Sequence, residues 1–259
     1  MTQLPPLGVT NLVGASFSAF SKHYLPLLLA AFIPILVVQL IANAMMPMIF
    51  EDFLANPADP TAMFGTSYFL FLAGTTIFSI LHLGFLMIVA GQILQGNASN
   101  VGEAVMTVLK RGFVLVALTV VMYVCAALGF VLLIIPGIVL MAAWSLAMPA
   151  VIFEGKGFEA LGYSAQLTKE YRWPIIGGMV LLFVAMAVVS LVIQYGLGIG
   201  IAAANQLDAL LGQPIWIVAI NAVIGAAFMT VMSLFTVLLY TRLKDIKEGG
   251  AAGAEDVFS

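Results

Sequence analysis

Long apolar stretches alternate with short polar connectors along this chain, and the longest stretch sets the architecture. Residues 112–153 carry no charged side chain and are interrupted by a single Pro136-Gly137 pair. A bilayer core about 30 Å thick is crossed by roughly 20 residues of helix, whereas one helix over residues 113–153 would be about 60 Å long. The pattern therefore predicts two spanning helices that turn back at Pro136-Gly137, with the proline at a position that needs no N–H.

The same reading of the whole chain predicts an all-α membrane protein, a six-span helical bundle. The predicted spans are 25–49, 67–94, 113–135, 137–153, 174–204 and 215–240. We expect residues 1–248 to form a single transmembrane domain and residues 249–259 to be a flexible cytoplasmic tail. The first span is expected to be retained, because its apolar region exceeds the 7–15 residues of a signal peptide.

Composition agrees with a membrane location. Hydrophobic residues make up 63% of the chain and charged residues 8%, whereas soluble domains carry roughly 25% charge. The mean hydropathy is +1.15. A net charge of −3 gives no sign of a nucleic-acid partner, and the single cysteine, Cys125, allows no intrachain disulfide.

The basic residues predict the orientation. With six spans, all nine fall on one side of the membrane: Lys22, Lys110, Arg111, Lys156, Lys169, Arg172, Arg242, Lys244 and Lys247. By the positive-inside rule that side is cytoplasmic, so both termini are expected to be cytoplasmic.

A threefold organisation is a further hypothesis. Each outgoing span follows a mildly amphipathic segment on the basic side, at 8–24, 101–112 and 158–173. This pattern predicts three units, each an interfacial helix followed by a membrane hairpin. The alternative is that any six-span protein needs such connectors with basic ends.

Polar residues inside spans are costly and are candidates for function. The intramembrane polar candidates are His82, Gln39, Asn43, Gln194 and Asn221. Since no Asp or Glu lies within a span to partner His82, we expect a neutral imidazole that hydrogen-bonds a neighbouring helix. The four amides are expected to connect helices rather than to form a pathway.

No catalytic or metal-binding cluster is predicted, and no cofactor is expected. Metal hydrolysis needs clustered His, Asp or Glu ligands, and the only histidines, His23 and His82, fall at a membrane edge and mid-membrane.

The basic side chains have two interpretations. They either only set orientation or also form a collar for anionic lipid headgroups, at about 1 kcal/mol each near a charged leaflet. The headgroup candidates are Lys110, Arg111, Lys156, Lys169, Arg172, Arg242 and Lys244.

A stretch around residues 130–175 resembles a known family. The residues that carry the likeness are Ile135-Pro136-Gly137-Ile138, Trp144, Pro149-Ala150-Val151-Ile152-Phe153-Glu154, Glu159-Ala160-Leu161, Ser164 and Leu167-Thr168. The pattern is similar to the membrane-domain family associated with glycerophosphoryl diester phosphodiesterases, which includes standalone bacterial members. The family's Arg-Trp pair is here Ala143-Trp144, a departure from the pattern.

The resemblance implies a multi-span bundle in a bacterial cytoplasmic membrane, without phosphodiesterase activity. In fused members a separate soluble barrel carries the chemistry, and this chain has no room for it. The structural motif candidates are Pro136, Gly137, Pro149, Glu154, Glu159 and Arg172. Glu154 is expected to pair with Arg172 or Lys156 and so to lock the connector to the bundle.

The leading hypothesis for function is a non-enzymatic accessory or scaffold linked to envelope or lipid homeostasis. Its expected partners are membrane lipids with anionic headgroups, a second copy of the chain or another membrane protein. The alternative is a small-solute or lipid transporter, and a membrane enzyme acting on a lipid is the third.

Overall fold

The computed structural model describes residues 7–55, 58–59, 64–198 and 212–249, and every regular element within these ranges is helical. The helices are α1 Val9–Lys22, α2 Tyr24–Ile49, α3 Glu51–Ala55, α4 Thr66–Leu94, α5 Val101–Leu132, α6 Ile134–Trp144, α7 Ala147–Glu154, α8 Ala160–Leu167, α9 Arg172–Gly196 and α10 Ile215–Lys244. A π-helical turn, Asp245–Gly249, continues α10.

Six of these stretches are long and apolar enough to cross a membrane, which confirms the predicted six-span bundle. They are Tyr24–Met48, Thr66–Leu94, Val101–Val131, Ile134–Glu154, Arg172–Gly196 and Ile215–Gly249. The end predicted for the fifth span, 199–204, and the predicted tail beyond residue 249 lie outside the described residues.

Proline sets the start of several helices. The third residues of α2, α6, α7 and α9 are Pro26, Pro136, Pro149 and Pro174. The first N–H groups of a helix have no intrahelical partner, so proline there loses no hydrogen bond. The same missing N–H deprives the carbonyl four residues upstream, and α1 and α5 end at those positions, Lys22 and Leu132.

The helix of the third span shows that the predicted pattern of three units, each an interfacial helix followed by a hairpin, is wrong for its second unit. Residues 101–112 are not a separate interfacial helix but the first part of α5, which runs unbroken from Val101 to Leu132. No proline follows this segment until Pro136, so nothing interrupts the hydrogen-bond ladder. The preceding and following connectors do form separate helices, α1 and α8.

The turn between α5 and α6 also lies earlier than the sequence predicts. One extended residue, Leu133, separates the two helices, and Pro136 and Gly137 belong to α6. Gly137 is needed where the helices approach closely, since a Cβ there would lie 2.8 Å from the Phe130 ring. A Cβ on Gly129 would lie 3.0 Å from the Gly137 Cα atom.

The two ends of the bundle differ in packing, and α4 and α10 show this clearly. We call the end that carries the basic residues the basic half, and the opposite end the far half. Every buried residue of α4 lies between Ile80 and Ile93, in the basic half. In α10, buried residues are dense from Thr230 to Leu243 and sparse before that. Burial of these two helices therefore concentrates in the basic half, and along its length α10 contacts α1, α2 and α4.

Candidate functional site

The carboxylate of Glu154 is the centre of a polar cluster in the basic half. Glu154 is the last residue of α7, and Gly155 after it adopts a left-handed backbone with φ of 72°. Its Oε1 atom accepts hydrogen bonds from the Tyr240 hydroxyl and from Lys244 Nζ at 2.8 Å. Its Oε2 atom lies 3.4 Å from Lys156 Nζ. One side chain thus ties the end of α7 to α10 and to the following connector.

Tyr163 of α8 connects this cluster to the π-helical turn that follows α10. Its hydroxyl lies 3.1 Å from Glu154 Oε1 and 2.6 Å from Glu248 Oε1. Burial, together with the hydrogen bond to Glu248, raises the pKa of Tyr163, so the hydroxyl keeps its proton. A phenol has one proton to donate, and the shorter distance assigns it to Glu248.

The cluster balances its own charge. Lys244 Nζ lies 3.6 Å from Glu248 Oε2 as well as contacting Glu154, and Lys156 Nζ sits 4.4 Å from the centre of the Tyr163 ring. We call these six residues the Glu154 cluster: Glu154, Glu248, Lys156, Lys244, Tyr163 and Tyr240. Two carboxylates face two ammonium groups, so the cluster is built to hold helices together rather than to attract an ion.

Arg111 stabilises the same end of α7 from the neighbouring helix α5. Its Nη1 atom donates to the carbonyl oxygens of Val151 and, at 2.7 Å, Ile152. Both carbonyls belong to the last turn of α7, where the helix dipole favours a cation. The Val151 carbonyl also accepts from the Gly155 N–H at 3.2 Å, whereas the Ile152 carbonyl is one of those that a helix end leaves without a backbone partner.

A second polar cluster provides hydrogen-bond partners for the backbone groups at the break between α6 and α7. The Ser164 hydroxyl of α8 donates to the Ala143 carbonyl at 2.7 Å and accepts from the Leu146 N–H at 3.1 Å. The Thr168 hydroxyl lies 3.1 Å from the same Ala143 carbonyl. Both hydroxyls are fully buried, so α8 supplies the partners that the broken span lacks.

The predicted motif residues divide into two groups. Glu154 has the expected partner Lys156, and Pro149 lies in the first turn of α7 beside the break. Arg172 does not reach Glu154, and its Nη2 atom instead lies 3.5 Å from the Ala165 carbonyl. Glu159 is exposed ahead of α8 and has no side-chain hydrogen bond within the described ranges.

The nine basic residues sort by what they contact. Lys156, Lys244 and Lys247 form ion pairs, and Arg111 and Arg172 face backbone carbonyls. The remaining four are exposed and have no acidic partner in the part of the chain that is described: Lys22, Lys110, Lys169 and Arg242. Of the seven predicted headgroup candidates, three therefore make no ion pair or backbone contact in the described ranges, Lys110, Lys169 and Arg242, and Lys22, which was not predicted, is a fourth such cation.

His82 occupies the interior at a backbone defect of α2. Pro34 has no N–H for the Ala30 carbonyl, and His82 Nε2 lies 3.5 Å from that oxygen. The ring stacks on Phe78 and Phe85, with centroids 5.3 and 6.2 Å away. The ring thus contacts a neighbouring helix, as expected, and that its imidazole is neutral stays a prediction.

Three of the predicted intramembrane amides meet at one cavity. A space of about 430 Å³ between α2 and α10 is lined by Gln39, Asn43 and Asn221, with Gln213 just before α10. Asn43 bridges to the Gln213 main chain, donating to its carbonyl at 3.0 Å and accepting from its N–H at 2.6 Å. Gln194 lies elsewhere and donates to Ser190 of its own helix at 2.8 Å.

A larger apolar cavity opens on the other side of α2. Its volume is about 560 Å³, and its lining comes mainly from α2 and α4, including Ile41, Met45, Leu70 and Phe71. It lies in the part of α4 that has no buried residues.

Within the described ranges, no three His, Cys, Asp or Glu side chains lie close enough together to hold a metal ion. Sequence reasoning missed Tyr163 and Tyr240 as partners of Glu154. Ser164 and Thr168 were named from the sequence only within the family resemblance. Their four-residue spacing was the available signal, because it places both buried hydroxyls on one face of α8.

Comparison with known protein families, with curated proteins and with solved structures gave no match.

Proposed function

We propose that the protein is a non-enzymatic membrane scaffold that presents a rigid basic face to anionic lipid headgroups. The observation that carries this proposal is that some basic side chains of the protein are paired while others are not. Lys22, Lys110, Lys169 and Arg242 are exposed and make no ion pair in the described ranges, whereas Lys156, Lys244 and Lys247 are already paired.

Rigidity of this face supports the proposal. The Glu154 cluster joins α7, α8 and α10, and the buried hydroxyls of Ser164 and Thr168 fasten α8 to the break in the fourth span. A surface fixed in this way keeps its free cations at constant spacing, which suits repeated headgroup contact.

The location that we propose is a bacterial cytoplasmic membrane, with both termini in the cytoplasm. The positive-inside rule supports the orientation, and the resemblance to the phosphodiesterase-associated membrane domains supports the lipid link. Labelling of Lys110→Cys and Lys169→Cys in a Cys125→Ala background tests the orientation in sealed vesicles. Cytoplasm-side reagents should reach both positions, and labelling of the two from opposite sides would contradict the topology.

Lipid retention tests the scaffold proposal. The protein is extracted in mild detergent, mixed with phosphatidylglycerol and phosphatidylcholine, and analysed by native mass spectrometry. At about 1 kcal/mol for each cation near anionic lipid, replacing all four by glutamine should weaken phosphatidylglycerol binding on the order of a hundredfold or more. Binding of phosphatidylcholine should not change.

The matched control is Lys247→Gln, because Lys247 already pairs with Glu170 at 2.8 Å. This variant should retain phosphatidylglycerol as the wild type does. If the fourfold variant also retains it, or if Lys247→Gln loses as much, the free cations are not the headgroup site.

A further inference from the structure

The amide-lined cavity lies in the far half, away from the free cations. Asn43 is six residues before the end of α2, and Asn221 is six residues after the start of α10. At 1.5 Å per residue, each lies about 9 Å from its helix end. The cavity is therefore within reach of the aqueous side opposite the basic face. We propose that it binds a small uncharged hydroxyl-rich molecule, of the polyol or monosaccharide class.

Two unpartnered amides supply the first argument. Gln39 and Asn221 line the cavity, yet neither side chain makes a hydrogen bond in the described part of the chain, whereas Asn43 is occupied by Gln213. An amide without a partner inside an apolar environment costs free energy. A ligand that both donates and accepts hydrogen bonds would remove that cost.

The absence of charge in the lining selects the ligand class. Among the described residues, the lining consists of four amide side chains with Ala42, Met46, Phe50 and Val218, and none of these eight residues is charged. A carboxylate, phosphate or ammonium ligand would find no counter-ion here. A hydroxyl group matches an amide because each acts as donor and acceptor.

The apolar wall completes the match. Phe50 is 8% exposed and lies 6.2 Å from the Tyr68 ring, centroid to centroid, which holds it in place. The C–H face of a polyol or sugar can lie against Phe50, Met46 and Val218 while its hydroxyls face the amides. The volume of about 430 Å³ falls in the range of about 300–1,000 Å³ typical of small-molecule sites.

This inference goes beyond the scaffold proposal, since it uses neither the free cations nor the Glu154 cluster. It requires binding only, and no transport step is part of it. The competing occupant is water, which a polar cavity of this size can also hold.

The test is ligand binding to the whole protein in nanodiscs. Glucose and myo-inositol are the neutral probes, and glucose 6-phosphate is the charged comparison, with saturation-transfer NMR as the readout. We expect both neutral probes to bind and glucose 6-phosphate to bind at least about tenfold more weakly, equivalent to 1.4 kcal/mol. If neither neutral probe binds, water alone occupies the cavity and the proposal is wrong.

Variants on two helices locate the binding. Gln39→Leu and Asn221→Leu should each weaken glucose binding about tenfold, the loss expected for one good hydrogen bond. Gln194→Leu is the matched control, because that amide lies outside the cavity on α9, and it should bind as the wild type. Neither Gln39 nor Asn221 bonds another described residue, so both variants should fold, as thermal unfolding can verify. Unchanged binding in both, or equal loss in the control, would overturn the assignment.

Discussion

The basic half and the far half of this bundle are built from the same apolar helices but are held together differently. In the basic half, the buried residues of α4 run from Ile80 to Ile93, and the ion pairs of Glu154, Glu170 and Glu248 with lysines lie there. In the far half, α4 from Thr66 onward has no buried residue until Ile80, and two cavities flank α2. The basic half is joined by ion pairs and buried hydrogen bonds, although a cavity of about 460 Å³ lined by Gly91, Phe153 and Tyr240 lies there too, while the far half has few such contacts.

The difference shows where polar groups stabilise a membrane bundle. Lipid is as apolar as leucine, so apolar burial alone gives little preference for helix–helix contact. Hydrogen bonds and close packing must supply that preference. The basic half has both, through the Glu154 cluster and the Ser164 contacts, and the far half has few. Perturbing matched residues in each half tests this contrast.

The largest effect is expected at Glu154. Replacing it with alanine leaves Lys244, Lys156 and the buried Tyr240 hydroxyl without their shared acceptor. Breaking a partly buried, hydrogen-bonded charge cluster should cost about 2–4 kcal/mol. Thermal unfolding in mild detergent, followed by loss of helical signal, measures the change.

Glu159→Ala is the control for that variant. Glu159 belongs to the same connector but is exposed and has no side-chain hydrogen bond within the described ranges. Its replacement should change stability by less than about 0.5 kcal/mol. Equal losses for the two glutamates would mean that the Glu154 cluster does not hold the basic half.

A smaller effect is expected at Ser164. Ser164→Ala leaves the Leu146 N–H without its partner and removes one donor from the Ala143 carbonyl, both in a fully buried position. The cost of such unsatisfied groups is about 1–3 kcal/mol.

Ser79→Ala gives the matched measurement in the far half. The Ser79 hydroxyl donates at 2.8 Å to Thr75 of its own helix, in an exposed position. Its loss should cost less than about 0.5 kcal/mol. If Ser79→Ala destabilises as much as Ser164→Ala, hydroxyl contacts do not distinguish the two halves.

The spans were predictable because their cause is local. The uncharged stretch 112–153 is too long to cross a bilayer only once, so its length and hydropathy alone indicate two spans. The absence of a proline just after residue 112 was also visible in the sequence, and it explains why residues 101–112 join the span instead of forming a separate helix. The end of α5 at Leu132, just before the Leu133 turn, follows from the same rule, applied four residues before Pro136.

The contacts between helices were less predictable, because they depend on which faces meet. Nothing local indicates that Tyr163 and Tyr240, on two separate helices, reach the same carboxylate. The amide cavity shows the same limit. The sequence singled out Gln39, Asn43 and Asn221 one by one, but their convergence needed the antiparallel packing of α2 and α10.

A third prediction concerns the close approach of α5 and α6 in the far half. A Cβ on Gly129 would lie 3.0 Å from the Gly137 Cα atom, and backbone cannot move aside as a side chain can. Gly129→Ala should therefore separate α5 from α6 and cost about 1–2 kcal/mol.

Gly74 on α4 is its control, since a Cβ there would meet nothing within 4 Å. Gly74→Ala should be neutral or stabilising by up to about 1 kcal/mol, because alanine favours helix. A destabilising Gly74→Ala would show that the far half is packed at that position too.

The smallest effect is expected at Glu170, which joins the α8–α9 connector to the turn after α10. Its backbone has a φ of 77°, the only positive φ outside glycine in the described chain, and its carboxylate lies 2.8 Å from Lys247 Nζ. Glycine would remove the left-handed penalty of about 1–2 kcal/mol, while alanine would keep it. Both variants lose the same exposed ion pair, so its contribution cancels between them, and Glu170→Gly should be about 1 kcal/mol more stable than Glu170→Ala.

Lowering the pH removes the Glu170–Lys247 ion pair without changing the backbone strain at Glu170, so it distinguishes the two effects. The hydrogen bond and charge of Lys247 lower the pKa of Glu170, so the pair's contribution is complete above the ordinary glutamate pKa of about 4.3. It is lost as the pH falls through the lowered pKa. Thermal unfolding at neutral and acidic pH should show the wild type losing stability relative to both variants in acid, with the glycine–alanine difference unchanged. An alanine variant as stable as the glycine variant would mean that the connector relaxes, and the strain would then play no part in how the basic half is held.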